Sequence, residues 1–486
     1  MRPTVRFLTD DLIGKIVDEA TEILCTLGVE LHNPDVLSML SDHGAEIDMD
    51  RRHVVFTREI IEKALETVPS SFELYDAHGD QTHSLGGTNV YFTPGSAALN
   101  VLDYETKELR KPTTGDYVDY VKVASQLEHI ASQSTAFIPA DVHEQISDSY
   151  RLFLNLMYGR KPVVTGMFTI DSFEVMKNLQ VAVRGSEEAL AEKPLAIFSV
   201  CPTSPLKWSD VTSQNVVDCA HYSIPVEFVS MPLSGFMAPV TLIGSVVAHS
   251  AETLSGVVIS QLSKPGTPVL YGGSPAIFDV RYETTPMGAI ETMMMNCANN
   301  EIGKHLGMPT QAYISLSDAK QLDAQAGLES GIGATLAALS GINNITGPGM
   351  LDFESSHSIE KLVVDNEIVG MTARLVEGMT PKDDFPALPI FEELLREGHL
   401  LIADHSRRYL REEHFFPGPV IDRANRGRWQ AEGAQTLGQR AHAQVEALLA
   451  SYEPSDLADS AKQELIALME AEAHRYGQDE LPERPG

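Results

Sequence analysis

The sequence predicts an α/β fold: a (β/α)8 TIM barrel with an N-terminal helical and extended cap and a C-terminal helical extension. Three observations predict it. Short apolar segments alternate with amphipathic helical segments eight times between residues 97 and 378. Those apolar segments are short and near-continuous, as parallel strands buried on both faces require. Polar residues gather after the strands and before the helices, the end at which such a barrel holds its chemistry. A doubly wound open sheet would use the same alternation, but the evenness of the units favours closure. No GxGxxG follows a strand, which argues against a dinucleotide site.

Taken in order, residues 1–96 read as the cap. Helical periodicity covers Asp11–Leu27, Pro34–His43 and Thr57–Thr67, with Asp10 and Asn33 as candidate caps. Turn-rich, extended sequence runs from Phe72 to Thr114, punctuated by His78-Gly79-Asp80 and Leu85-Gly86-Gly87. Residues 97–378 are the barrel. Its strands are expected at 97–102, 134–139, 162–167, 195–200, 225–230, 268–272, 310–315 and 342–346. Its helices are expected near 115–127, 145–158, 171–184, 209–220, 241–263, 287–305, 321–340 and 358–377. The pattern breaks after Gly378 at Thr380-Pro381-Lys382-Asp383-Asp384. Residues 379–486 form the extension, with helices near Ile390–Glu397, His399–Tyr409, Ala434–Tyr452 and Ser455–Tyr476 and a frayed tail from Gln478.

Composition narrows the function. With 36 Lys and Arg against 68 Asp and Glu, the formal charge is −32, which repels nucleic acid and anionic membranes. Cys25, Cys201, Cys219 and Cys297 form no CxxC pair and read as reduced thiols of a cytoplasmic protein. Residues 1–10 contain no apolar signal region, and no apolar run is expected to reach the roughly 18 residues of a membrane helix. The histidines His143, His249 and His305 show no ligand spacing, so no metal site is expected.

The most informative stretch lies between Tyr313 and Glu367. It contains SDAKxxDxQAGxE (317–329), SGxNxxxGxG (340–349) and EKLVVDNEIVGM (360–371). Together with YGGS at Tyr271–Ser274 and the late HSRRYLREE segment, this pattern resembles the trimethylamine methyltransferase (MttB-like) superfamily of corrinoid-dependent methyltransferases. The resemblance runs from about residue 10 to about residue 455. Trimethylamine enzymes of that superfamily carry pyrrolysine in the barrel, and this sequence has only standard residues. It therefore resembles the non-pyrrolysine branch, which acts on quaternary amines such as glycine betaine.

A quaternary ammonium has no N–H to donate, so aromatic faces and carboxylates must recognise it. Candidate walls are Tyr91, Phe92, Phe236, Tyr271, Tyr313 and Phe353, each equally open to a packing role. Asp318 follows the seventh strand, with Gln325 and Glu329 one and two turns into the next helix; Asp318 also reads as a helix cap. Glu354 and His357 follow the eighth strand, where a carboxylate could balance a cation and an imidazole could serve as an acid or hold a carboxylate. Catalytic candidates are thus His357, Glu354 and Asp318. Gly272-Gly273-Ser274 and Gly347-Pro348-Gly349 admit close backbone approach to a ligand or are tight turns.

The resemblance implies methyl transfer from a quaternary amine to cob(I)alamin held on a separate small corrinoid protein, since no DxHxxG segment of this chain would bind a corrinoid. The substrate nitrogen already carries the positive charge that makes a neutral amine the leaving group. Catalysis then rests on alignment. Two rivals make different predictions. A barrel lyase or isomerase requires an acid–base pair, and a betaine-binding protein binds without turnover. A homo-oligomer is also expected.

Overall fold

The computed structural model describes residues 2–484, and the last two residues of the tail expected to fray lie outside the described residues. The fold is α/β. Eight short parallel strands carry it: β1 (Tyr91–Thr93), β2 (Gln133–Ser134), β3 (Val163–Gly166), β4 (Ala196–Val200), β5 (Val226–Phe228), β6 (Val269–Leu270), β7 (Gln311–Tyr313) and β8 (Asn344–Thr346). Strands β2 to β6 pair in sequence order as one all-parallel sheet, and β7, β8 and β1 pair as another. Backbone hydrogen bonds connect the two sheets on both sides. Tyr271 N donates to Pro309 O at 2.9 Å and Gln311 N to Tyr271 O at 3.0 Å, next to β6 and β7. Ala131 N donates to Phe92 O at 2.9 Å and Ala97 N to Thr135 O at 3.0 Å, next to β1 and β2.

Each strand leads to a helix: α1 (Thr114–Gln126), α2 (Ser147–Tyr158), α3 (Ser172–Arg184), α4 (Asp210–Tyr222), α5 (Leu242–Ser263), α6 (Ile290–His305), α7 (Ala324–Ser340) and α8 (Ile359–Glu377). Their ends follow local chemistry. Thr113 and Asp116 make a reciprocal capping box on α1, and Gly341 ends α7 in the left-handed conformation. The strands are buried on both faces, which explains why their residues do not alternate.

The first strand lies elsewhere than expected. The segment parallel to β8 is Tyr91–Thr93, not 97–102; Asn100–Leu102 pairs with Ser356–His357 and Leu109–Arg110 in a separate small sheet. Periodicity cannot separate two apolar runs so close together. Helix α7 also starts later than expected, at Ala324, because Asp323 accepts the Gln325 and Ala326 amides as its cap. Helix α5 corrects a third expectation: over an 18-residue window its mean hydropathy is 1.5, long and apolar enough to cross a membrane by length and composition. Of that window 72% is buried inside the protein, so its apolarity is core packing.

Before β1, helices Asp10–Thr26, Pro34–Asp42 and Arg58–Thr67 surround a small sheet that Lys207–Trp208 joins. Within the C-terminal segment, helices Leu437–Ala450 and Asp459–Arg475 bury Ala441, Val445, Leu465 and Met469 against the body. Helices Leu388–Glu397 and Asp404–Glu413 bury no residue at all.

Candidate functional site

A cavity of about 280 Å³ opens at the C-terminal ends of the parallel strands. Every strand end gives it a wall residue: Ser96, Thr135, Met167, Cys201, Met231, Ser274, Tyr313 and Glu354 follow or close β1 to β8 in turn. A larger groove of about 760 Å³ lies outside, between Leu102–Lys107, the start of α7 and Thr436–Gln439. Three strongly perturbed ionisable groups, Cys201, Tyr313 and Glu354, line the smaller cavity, and functional sites concentrate such groups.

Glu354 is the most distinctive of them. Its Oε1 is buried and no protein donor reaches it. Burial, and secondly the Asp318 charge, push its carboxyl up to about 8. The loop that presents it is strained, with Asp352, Phe353 and Glu354 in the left-handed region at φ 50°, 56° and 64°. Surrounding bonds hold that geometry: Asp352 N donates to Ala319 O at 2.9 Å, and the Ser355 hydroxyl to Asp352 Oδ2 at 2.7 Å.

Asp318 accepts the Met287 and Gly288 amides, both at 2.9 Å, which corrects the reading of it as a helix cap. Burial raises it to about 6. Glu329 accepts the Ser317 hydroxyl at 2.6 Å, the Asp318 amide at 2.8 Å and the Gln325 side chain at 2.9 Å. Gly288 is required at this corner. A Cβ there would stand 2.7 Å from Glu329 Cδ and 3.1 Å from Asp318 Oδ2. Tyr313 exchanges a 2.9 Å hydrogen bond with Ser96, and its ring lines the cavity.

Of the residues expected from sequence, then, Glu354 and Tyr313 line the cavity, while Asp318, Glu329 and Gln325 form a hydrogen-bonded cluster outside its walls, with the Asp318 charge acting on Glu354. The others are elsewhere. His357 is fully buried against Tyr120 and Phe137, with ring centroids 5.3 and 5.5 Å away, and is not among the cavity walls. Tyr91 and Phe92 form part of β1 itself and line a separate pocket with His129. Tyr271 points outward to α5, donating to Ser250 at 2.9 Å. Phe236 is 63% exposed and stacks on Phe278. Phe353 has Lys320 Nζ 3.9 Å over its ring.

Sequence reasoning missed Glu227 and Arg151. Glu227 is wholly buried in β5, accepting from the Ser199 hydroxyl at 2.7 Å and Asn344 Nδ2 at 2.8 Å, and burial pushes it up to about 7. The signal was an acid inside an apolar strand. Arg151 lines the cavity from α2 and pairs with Asp148 at 2.9 Å. Cys201 is pushed up to about 12 by burial and then by Glu227 and Glu354, which favours the neutral thiol.

The EKLVVDNE segment, by contrast, does structural work. Asp365 accepts from Lys361 Nζ at 2.5 Å and from Gly349 N at 2.6 Å, which anchors the Gly347-Pro348-Gly349 loop. Asn366 accepts the His129 amide and Glu367 the Gly418 amide, which ties the C-terminal segment to α8.

The structure is thus an α/β body with a half-open, carboxyl-bearing cavity at its strand ends. The chain belongs to the trimethylamine methyltransferase (MTTB) family, whose model matches residues 1–476. It is 28% identical over 469 residues to the trimethylamine methyltransferase MttB of Desulfitobacterium hafniense strain DSM 10664 / DCB-2, covering 96% of this chain and 94% of that protein. It is 27% identical over 479 residues to the glycine betaine methyltransferase of Desulfitobacterium hafniense strain Y51, covering 98% and 99%. Among solved structures, the Methanosarcina barkeri monomethylamine methyltransferase MtmB has a similar fold, with a TM-score of 0.51 at 12% identity over 97% of this chain and 88% of that one.

Proposed function

We propose that this chain is a methyltransferase that takes a methyl group from a quaternary amine and passes it to cob(I)alamin on a separate corrinoid protein. The observation that carries the reading is the unpartnered carboxyl of Glu354 in a small cavity beside the Tyr313 ring, in a chain of this family. A quaternary ammonium supplies no hydrogen bond, so a carboxylate with no competing donor suits it, and an aromatic face adds cation–π attraction. The Asp318 carboxyl adds negative potential beside Glu354, and the Ala319 carbonyl next to it holds the Glu354 loop through the Asp352 amide. The glycine betaine methyltransferase among the relatives, similar over nearly its whole length, supports a quaternary amine as donor.

The acceptor fits only outside. A cavity of about 280 Å³ admits a betaine-sized molecule but not a corrin ring, which would rest at the mouth, where Phe168 and Met231 are exposed. A reduced corrinoid supplies the nucleophile; this chain orients the methyl group toward it.

We further read the eight parallel strands as one closed (β/α)8 barrel, supported by the backbone hydrogen bonds on both sides of the two sheets. In that reading the barrel begins at β1, between an N-terminal cap and a helical extension from residue 379. Exposed apolar side chains on Leu388–Glu397 support a homo-oligomer, and a cytoplasmic location suits its free cysteines.

The test is incubation of the purified chain with a panel of quaternary amines and a reduced corrinoid protein, followed by the cobalamin absorption spectrum. A substrate-dependent spectral change is expected. Tight binding without that change would make the protein a betaine-binding protein instead.

A further inference from the structure

Arg151 stands out among the buried charges because its surroundings leave it unfinished. The side chain is 1% exposed, on α2, and belongs to the cavity wall. Its Nε donates to Ser147 O at 3.2 Å, its Nη1 to Thr135 O at 3.1 Å and its Nη2 to Asp148 Oδ1 at 2.9 Å. A guanidinium has five N–H donors, so two remain, one on each terminal nitrogen. One free N–H on each terminal nitrogen is the donor count a bidentate carboxylate needs, and the Phe168 ring centroid lies 5.4 Å from the guanidinium carbon.

The mounting is rigid. Asp148 holds the guanidinium with one oxygen and accepts the Phe168 amide at 2.6 Å with the other, which fixes the loop after β3 against Arg151. Glu354, the carboxyl wall, enters the same cavity from the loop after β8. Among the described residues Arg151 pairs with Asp148 at 2.9 Å and not with Glu354. The cavity thus has two poles: a guanidinium fork on the β2–β3 side and a carboxyl on the β8 loop.

We propose that Arg151 binds a carboxylate of the substrate, so that the site selects carboxylated quaternary amines over uncharged-tail ones such as choline. This rests on the methyl-transfer reading for its cationic half; the arginine half is tested separately. Asp148 is a positioning residue for the fork.

Three probes distinguish the poles by calorimetry on the full chain. Glycine betaine carries both charges, choline the ammonium alone, and 3,3-dimethylbutyrate, the carbon isostere of glycine betaine, the carboxylate alone. The unmodified protein is expected to bind glycine betaine at least about tenfold more tightly than choline. In Arg151→Lys, which keeps the charge but loses the fork, glycine betaine and dimethylbutyrate should weaken by about tenfold while choline changes by less than about twofold. Choline binding also reports that the variant is folded, and the comparison of the three ligands on the unmodified protein needs no variant. Equal affinity for choline and glycine betaine, or equal weakening of both in Arg151→Lys, overturns the proposal and leaves the methyl-transfer reading standing. Dimethylbutyrate bound as tightly as glycine betaine, and lost in Arg151→Lys, supports the arginine pole and counts against the quaternary-amine reading. No binding of either carboxylate probe overturns the proposal.

Discussion

Glu227 on β5 and Asn344 on β8 are joined by a 2.8 Å hydrogen bond, although their strands belong to different sheets. Asn344 Nδ2 donates to Glu227 Oε2, while Asn344 Oδ1 accepts from Thr93 on β1 at 2.8 Å. A chain of polar groups thus crosses the strand interior just beneath the cavity, with Ser199 on β4 as its last member.

Breaking that chain should cost stability. Glu227→Ala leaves the Asn344 amide buried without an acceptor, at about 1–3 kcal/mol, and strips the half-buried Ser199 hydroxyl of its partner. Glu227→Gln keeps one acceptor oxygen and should lose less than half as much. Urea unfolding at pH 6 ranks the two variants. A Gln variant as unstable as the Ala variant would contradict the role assigned to the acceptor.

Ligand binding should depend on Glu354 through its proton. The carboxyl sits near 8 in the ligand-free protein, so below that pH a cation must displace a proton to gain a carboxylate partner. Affinity for glycine betaine should rise with pH by up to about tenfold per unit and level off above about 8. Calorimetry in buffers of different ionisation enthalpy counts the released proton. Glu354→Gln should remove the slope; a sloping profile in that variant would assign it to another group.

Folding stability should fall on both sides of an optimum. His83, His249 and His357 are held at about 3 by burial, so between pH 6.5 and 3 the unfolded chain binds more protons and acid destabilises the fold. Glu354 and Glu227 have the opposite sign. Folded, they keep protons to about 8 and 7, whereas unfolded they release them near 4.5, so their contribution fades as pH rises through that window. Thermal melts from pH 3.5 to 9 should show both limbs. His357→Asn should shrink the acid limb and leave glycine betaine affinity per folded molecule within about twofold; loss of affinity at unchanged stability would return His357 to the site.

The aromatic walls make a paired prediction. Tyr313→Leu should weaken binding of a quaternary ammonium by about 0.5–2 kcal/mol, because its ring faces the cavity. Phe353→Ala should not, since Lys320 already covers that ring. Equal losses in calorimetry would mean that the Phe353 loop moves on binding.

The site was partly legible in the sequence. Glu354 and Asp318 were singled out because they follow strands, and position after a strand is a property of chain order. Tyr91, Phe92 and Tyr271 were misplaced because a strand residue's side is set by register, which sequence order does not carry. Arg151 was missed for a different reason: it lies mid-helix, one residue among many polar ones, and only its neighbours make it a wall.

By itself the sequence determined the alternation of strands and helices, because buried parallel strands and amphipathic helices leave different periodicities over ten or more residues. Some helix ends were also local, as where Asn33 caps the helix Pro34–Asp42. Tertiary structure alone decided which apolar run became β1, since Tyr91–Thr93 wins by pairing with a strand some 250 residues later. It also decided which carboxyls became perturbed. A pKa is set by lost water and nearby charge, and both come from packing between distant segments: Glu354 near Asp318, Glu227 against Asn344.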